Sequence, residues 1–170
     1  MSKIYIDFDG VVLDTWEVIC ENYYKKFKTL EISEKKLRKI MLDLGWDFIL
    51  SNSKEINHSL RKIKKLSKKY EIYILTKINS MEEQNKKRDF LYKNGINRII
   101  FVPYNFSKTK YANPFNNVLI DDDLKNLKEW EQKDGISIFF NKDLNNYDSY
   151  GNINDNFIII NDLLKIYDIM

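Results

Sequence analysis

An apolar strand that runs straight into two closely spaced acids is the strongest constraint in this chain. In Lys3-Ile4-Tyr5-Ile6-Asp7-Phe8-Asp9-Gly10-Val11-Val12-Leu13-Asp14, Asp7 and Asp9 stand two residues apart with a glycine directly after them. Side chains two apart on a strand point the same way. Asp7 and Asp9 therefore project together from the carboxyl end of a first strand, the edge at which open α/β sheets bind ligands. Two carboxylates forced together repel, so they need a cation, a shared proton or a positive partner. The motif points to a magnesium site with a nucleophilic aspartate.

The rest of the chain supplies a sheet to carry that site. Further strands are expected at 71–76, 98–102, 117–121 and 136–140, with a short extended segment at 157–160. Helical spacing is expected at 15–29, 33–44, 54–69, 80–94, 107–112 and 123–133, and 161–169 closes the chain as a helix. Trp46 to Leu50 reads as short and irregular, and 141–156, rich in Asn, Asp, Tyr and Gly, as a long loop. Alternating strands and helices imply a parallel sheet with right-handed crossovers. The helical block after the first strand is too long for one crossover helix. The expected fold is α/β: a Rossmann-like three-layer core with a parallel sheet, and a small helical cap inserted after strand 1. Residues 1–14 and 68–170 form the core and 15–67 the cap, which sits over the edge where Asp7 and Asp9 emerge.

Composition narrows the function classes. A chain of 170 residues has room for one core domain and a small insert. No apolar run reaches the ~20 residues a membrane helix needs. The N-terminus enters the first strand at once, so no signal peptide is expected. The lone cysteine, Cys20, cannot form an internal disulfide, which together with these features suggests a cytoplasmic protein. Net charge is +3, carried by 24 Lys against 4 Arg. Specific phosphate and base recognition leans on arginine forks, so the lysines read as solvated surface and nucleic acid is disfavoured as a partner.

Four signals fall at strand ends in chain order. Asp7 and Asp9 close the first strand, Thr76 the second, Lys108 and Lys110 lie just ahead of the fourth, and Asp121-Asp122-Asp123 closes it. In a parallel sheet these converge on one crevice, with an inventory suited to phosphoryl transfer. Mg²⁺ takes few carboxylates together with waters and phosphate oxygens. Asp7 and Asp121 can supply the carboxylates and Asp9 a backbone carbonyl. The Thr76 hydroxyl and a lysine ammonium can hold phosphate oxygens as charge shifts onto them. Asp7 can attack phosphorus. Asp9 can protonate the leaving oxygen and later deprotonate water.

The set Asp7-Phe8-Asp9-Gly10-Val11, Ile74-Leu75-Thr76, a lysine, then Leu119-Ile120-Asp121-Asp122 resembles the haloacid dehalogenase superfamily over essentially the whole chain. The helical insert is similar to that superfamily's C1-type caps, which close over substrate. The resemblance implies Asp7 as the nucleophile forming an aspartyl-phosphate, Asp9 as general acid and base, Thr76 as a phosphate ligand, and Asp121 as a magnesium ligand supported by Asp122. For the motif lysine, Ser107-Lys108-Thr109 reads as an N-cap and first turn, which favours Lys108 over its rival Lys110. The stretch from Leu119 to Trp130, with Gly135-Ile136 and Phe140-Asn141 after it, is similar to the 5′(3′)-deoxyribonucleotidase branch, which removes phosphate from nucleoside monophosphates. The expected partner is thus a small phosphorylated substrate. A nucleic-acid end-processing phosphatase and a phosphoryl-binding regulatory module are the alternatives.

Other residues carry weaker signals. Lys77 follows Thr76 and joins the substrate set. Among the aromatic residues of the insert, helical spacing assigns most to its core, and Trp16 and Trp46 are the candidates to face substrate. Asp14 and Asp123 read as helix caps, Asn126 as support for the loop after Asp121, and His58 as exposed.

Overall fold

A computed structural model describes residues 2–29, 31–143 and 157–170. Its centre is a six-stranded sheet in the order β3-β2-β1-β4-β5-β6, every pairing parallel. The strands are β1 (Lys3–Ile6), β2 (Glu71–Ile78), β3 (Ile99–Pro103), β4 (Val118–Asp121), β5 (Ile136–Phe140) and β6 (Ile158–Ile160). The strand runs are almost wholly apolar because both faces of the sheet are covered. Alternate side chains feed two separate cores. Ile4, Ile6, Ile72, Ile74, Val118 and Ile120 enter one, and Tyr5, Leu75 and Leu119 enter the other.

Helices supply the outer layers. On the first face lie α4 (Ser59–Leu66), α5 (Met81–Lys93) and α7 (Ile166–Ile169), which bury Ile63 and Leu66, Leu91, and Ile166. On the other lies α6 (Leu124–Glu131), with Leu127 and Trp130 fully buried. The expected α/β class and parallel three-layer core are therefore observed.

Three helices stand between β1 and the sheet-bound α4: α1 (Thr15–Phe27), α2 (Glu34–Leu44) and α3 (Trp46–Asn52). Buried Tyr23 holds the α1–α2 connection. Its hydroxyl accepts from the Ser33 amide at 3.0 Å and donates to the Glu31 carbonyl at 2.9 Å. Helix α4 lies within the 15–67 segment but packs on the core. The Ser59 hydroxyl donates to the Val12 carbonyl, and Lys62 pairs with Asp162 at 2.7 Å.

Several element boundaries depart from the sequence reading. Trp46 to Leu50 is helical, because the Glu82 carboxylate of α5 accepts from the Trp46 amide at 3.1 Å and because Trp46, Ile49 and Leu50 are buried. That support is tertiary and has no local signal. The expected 54–69 helix begins only at Ser59, since Asn57 and His58 adopt φ of 47° and 55°. Strand β2 continues two residues past Thr76, paired through Lys77 with Val102 and Ile78 with Pro103. The 107–112 helix is a single 3₁₀ turn, Lys108–Lys110, and the closing helix is a 3₁₀ turn, Leu163–Lys165, that leads into α7. The expected loop at 141–156 lies mostly outside the described residues.

Candidate active site

At the carboxyl edge of β1, β2 and β4 the chain gathers its acids and lysines. Strand β1 ends at Ile6, and the Asp7 amide still donates to the Ile120 carbonyl of β4 at 2.9 Å, which fixes Asp7 beside Asp121. The chain then turns tightly. The Val12 and Leu13 amides both donate to the Phe8 carbonyl, and Gly10 sits at φ 78°. This turn aims Asp7 and Asp9 into neighbouring parts of one crevice.

Lys108 joins two of the acids. The Ser107 hydroxyl caps its 3₁₀ turn by accepting from the Thr109 amide at 3.2 Å. The buried Lys108 ammonium donates to Asp7 Oδ1 at 2.5 Å and to Asp121 Oδ2 at 2.7 Å. Lys110 points elsewhere, its ammonium 4.9 Å from the Phe106 ring centroid. The other Asp121 oxygen accepts from the Asp123 amide at 2.9 Å, and Asn126 Nδ2 adds a bond to Asp121 Oδ2 at 3.1 Å. Asn126 in turn accepts from Lys77 at 2.8 Å, so Lys77 reaches the acidic cluster through an amide. Asp123 caps α6 by accepting from the Lys125 amide at 2.9 Å. Asp14 caps α1 and also pairs with Lys142.

The electrostatics of this cluster favour a cation. Carboxylate oxygens of Asp7, Asp121 and Asp122 lie within 4.8 Å of one another. Burial pushes Asp7 up to about 7 against the pull of Lys108, with repulsion from Asp121 and Asp9 adding to it. Asp122 is exposed as a residue, but partial loss of water around its carboxyl, then repulsion by Asp7 and Asp121, pushes it up to about 8. Desolvation alone would discharge Lys108, but Asp121 and Asp7 reverse that and raise it above the usual lysine range. One ammonium among three acids leaves negative charge unbalanced, and hard oxygen donors in this number suit Mg²⁺.

Asp9 is held by a second set of groups. Its Oδ1 accepts from the Thr15 hydroxyl at 2.7 Å. Its Oδ2 accepts from Lys87 Nζ at 2.5 Å and, more weakly, from Thr76 Oγ1 at 3.4 Å. Lys87 is fully buried on α5 and also donates to Glu83 Oε1 at 2.7 Å. Burial opposes its charge, but Asp9 and Glu83 outweigh burial and raise its pKa above the ordinary value. The structure thus brings Asp7, Asp9, Thr76, Lys77, Lys108, Asp121 and Asp122 to one edge. It adds Thr15, Glu83 and Lys87, which the sequence reading missed. The missed signal was helical phase: Glu83, Lys87 and Leu91 fall at i, i+4 and i+8 on the inward face of α5.

The insert covers part of this edge. A cavity of about 190 Å³ runs from Asp9 along Thr15, Trp16, Leu37 and Trp46 to Tyr104. A second, of about 360 Å³, shares Arg38, Met41, Trp46, Asn79 and Tyr104 with it. Trp16 is half-exposed, whereas Trp46 is buried with its ring 4.6 Å from the Lys87 ammonium. His58 is exposed, as its sequence context implied.

No protein-family model matches the chain, and no curated protein sequence matches it. Solved structures do. A haloacid dehalogenase-like hydrolase of Streptococcus pneumoniae superposes with a TM-score of 0.64 at 12% identity, over 99% of this chain and 98% of that one. A HAD phosphatase of Thermococcus onnurineus gives 0.59 at 14% identity, over 99% and 97%. A putative HAD hydrolase of Bacillus subtilis, solved bound to magnesium, gives 0.59 at 14% identity, over 99% and 97%. Across essentially its whole length, the chain has the fold of the haloacid dehalogenase-like hydrolases.

Proposed function

We propose that the protein is a magnesium-dependent phosphomonoester hydrolase that works through an aspartyl-phosphate on Asp7. The observation that carries this reading is the Lys108 ammonium between Asp7 and Asp121, with the Asp122 carboxylate beside them and Asp9 held apart by its own partners. Asp7, Asp121 and Asp122, with the Asp9 carbonyl, would hold Mg²⁺. When bound, the ion would neutralise phosphate oxygens beside the acidic cluster. Lys108 and the Thr76 hydroxyl would steady the transferring group. An Asp7 oxygen bonds to phosphorus, the ester P–O bond breaks, and Asp9 passes its proton to the departing oxygen. Water then gives a proton to Asp9 and bonds to phosphorus, the bond to Asp7 breaks, and inorganic phosphate leaves.

Helices α1 to α3 of the 15–67 segment would act as the cap. Trp16, Leu37 and Trp46, from α1, α2 and α3, wall the cavity beside Asp9, and no described residue of α4 lines it. Such a wall limits leaving-group size and favours small substrates over intact nucleic acid. A (deoxy)nucleoside monophosphate is the first substrate to test, since Trp16 and Tyr104 offer aromatic surface on that cavity. Among the described residues no helix is long and apolar enough to cross a membrane. A cytoplasmic setting fits the single free Cys20.

The deciding experiment is phosphate release from nucleoside monophosphates and sugar phosphates, with and without Mg²⁺, in wild type and Asp7→Asn. Release that needs both Mg²⁺ and Asp7 supports the reading. Nucleotide preference supports the narrower substrate class. No Asp7-dependent release from any member of the panel overturns it.

A further inference from the structure

Lys87 has no assigned part in the chemistry above, yet it is among the most completely buried large side chains in the protein. A buried lysine is costly unless it is fully partnered. Its partners here are specific. Glu83 Oε1, one turn back on α5, fixes the ammonium at 2.7 Å, and the Lys77 carbonyl accepts at 3.2 Å. Glu83 is itself fixed, since its second oxygen accepts from the Asn79 amide at 2.7 Å and its own amide donates to the Ser80 hydroxyl at 3.1 Å. The Trp46 and Phe8 rings flank the ammonium at 4.6 and 5.4 Å and shield it from water. Thr76 Oγ1 accepts from it more weakly at 3.3 Å, and its shortest contact is to Asp9 Oδ2, at 2.5 Å.

Helix α5 also grips the insert at neighbouring positions. Glu82 accepts from the Trp46 amide, and Lys86 pairs with Asp47 at 2.6 Å. One rigid helix therefore carries the contact to Asp9 and the contacts that seat Trp46 above it.

We propose that Lys87, braced by Glu83, is a positioning residue that locks the Asp9 carboxylate in the orientation needed to take a proton from water. The inference rests on the phosphohydrolase reading and deepens it. With Oδ2 fixed by Lys87 and Oδ1 by Thr15, the carboxylate plane is set from both ends. In the hydrolytic half-reaction a water proton passes to Asp9, the water oxygen bonds to phosphorus, and the phosphorus–Asp7 bond breaks to return the Asp7 carboxylate and release phosphate. Loss of Lys87 leaves every reacting group in place but lets Asp9 turn. Formation of the aspartyl-phosphate from an ester with a good leaving group needs little help from Asp9. Its hydrolysis needs that help fully.

The test is rapid-mixing kinetics of Lys87→Met with Mg²⁺ and p-nitrophenyl phosphate. The expected result is a nitrophenol burst approaching one per active site, with a burst rate near that of wild type. The following steady rate falls about tenfold or more, as loss of a positioned general base does. A purely structural defect would lower both phases together. Equal loss in the two phases, or no loss in either, overturns the proposal while leaving Asp7-dependent catalysis intact. Should Lys87→Met fail to fold, the Glu83→Gln/Lys87→Met pair removes both buried charges and is held to the same two-phase criterion. Absence of Asp7-dependent turnover in wild type overturns this inference together with the reading beneath it.

Discussion

Gly10 and Asp122 stand so close that only a glycine leaves the carboxylate room. A Cβ built on Gly10 would lie 1.9 Å from Asp122 Oδ2, and Gly10 has φ 78°. The glycine of the first motif is thus tied to the last acid of the site, 112 positions away in the sequence. Gly10→Ala is expected to strain the turn by roughly 1–2 kcal/mol and to push the Asp122 side chain off the cluster. Thermal unfolding and a calorimetric Mg²⁺ titration measure the two effects. A loss of stability with unchanged Mg²⁺ affinity would remove Asp122 from the proposed ligand set.

Lys108 neutralises two buried acids at once, so its removal should be severe. Lys108→Met is expected to destabilise the metal-free protein by up to about 3–5 kcal/mol, the range for breaking a buried ion pair. Proton uptake by Asp7 would recover part of that. Activity should fall by about a hundredfold or more, as when a preorganised electrostatic group is deleted. Lys110→Met is the matched control and should behave as wild type, because Lys110 lies over Phe106 outside the cluster. Comparable losses in both variants would break the assignment of Lys108.

The acidic cluster also predicts an unusual response to pH. Asp7, pushed up to about 7, binds its proton more tightly in the folded chain than in the unfolded one, where it titrates at about 4. Its contribution to stability is therefore complete at low pH and is lost as pH rises through about 7. Asp122, pushed up to about 8, acts in the same direction. Asp162 behaves oppositely: against the upward push of burial, Lys62 and the Leu164 amide hold it low, so its contribution fails only in strong acid. Between pH 5 and 8, metal-free protein should melt at progressively lower temperature. Mg²⁺ should raise the melting temperature more at pH 8 than at pH 5, since the ion competes with protons for the same oxygens. A flat profile in chelator would contradict the raised carboxyl pKa values.

Much of this was legible in the sequence because the information was local. The strand-to-acid run at Asp7, the apolar strands and the acids after Ile120 each announce themselves within a few residues, and a parallel sheet brings such ends together. Ser107 before Lys108 was enough to prefer that lysine by its capping geometry. What escaped notice depended on tertiary partners. Helix α3 needs Glu82 of α5 to cap it, which nothing between Trp46 and Leu50 reveals. Lys87 sits in the sequence between Lys86 and Arg88, as any solvated helix would carry it, and only the i+4 step from Glu83 and to Leu91 turns it inward. Thr15 reads as the first residue of a helix, and its bond to Asp9 follows from the tight turn at Gly10 that no periodicity encodes.

The two tryptophans of the insert should separate binding from stability. Trp16 is 47% exposed and lines the cavity beside Asp9, whereas Trp46 is 3% exposed and packs over Lys87. Trp16 is only half-buried, so Trp16→Ala should cost about 1–1.5 kcal/mol, well short of the loss expected at a core tryptophan. KM for a substrate with an aromatic leaving group should rise by up to about tenfold, the size of one lost aromatic contact. KM for a small sugar phosphate should change less, because such a substrate offers no ring to stack. Trp46→Ala should instead cost about 3–5 kcal/mol by opening a core cavity and should lower kcat as well, since it uncovers the Lys87 ammonium that holds Asp9. Chemical denaturation and steady-state kinetics on the two variants read out all five quantities. Unchanged KM for every phosphomonoester in Trp16→Ala would place the leaving group away from α1 and towards the second cavity along Arg38 and Asn79.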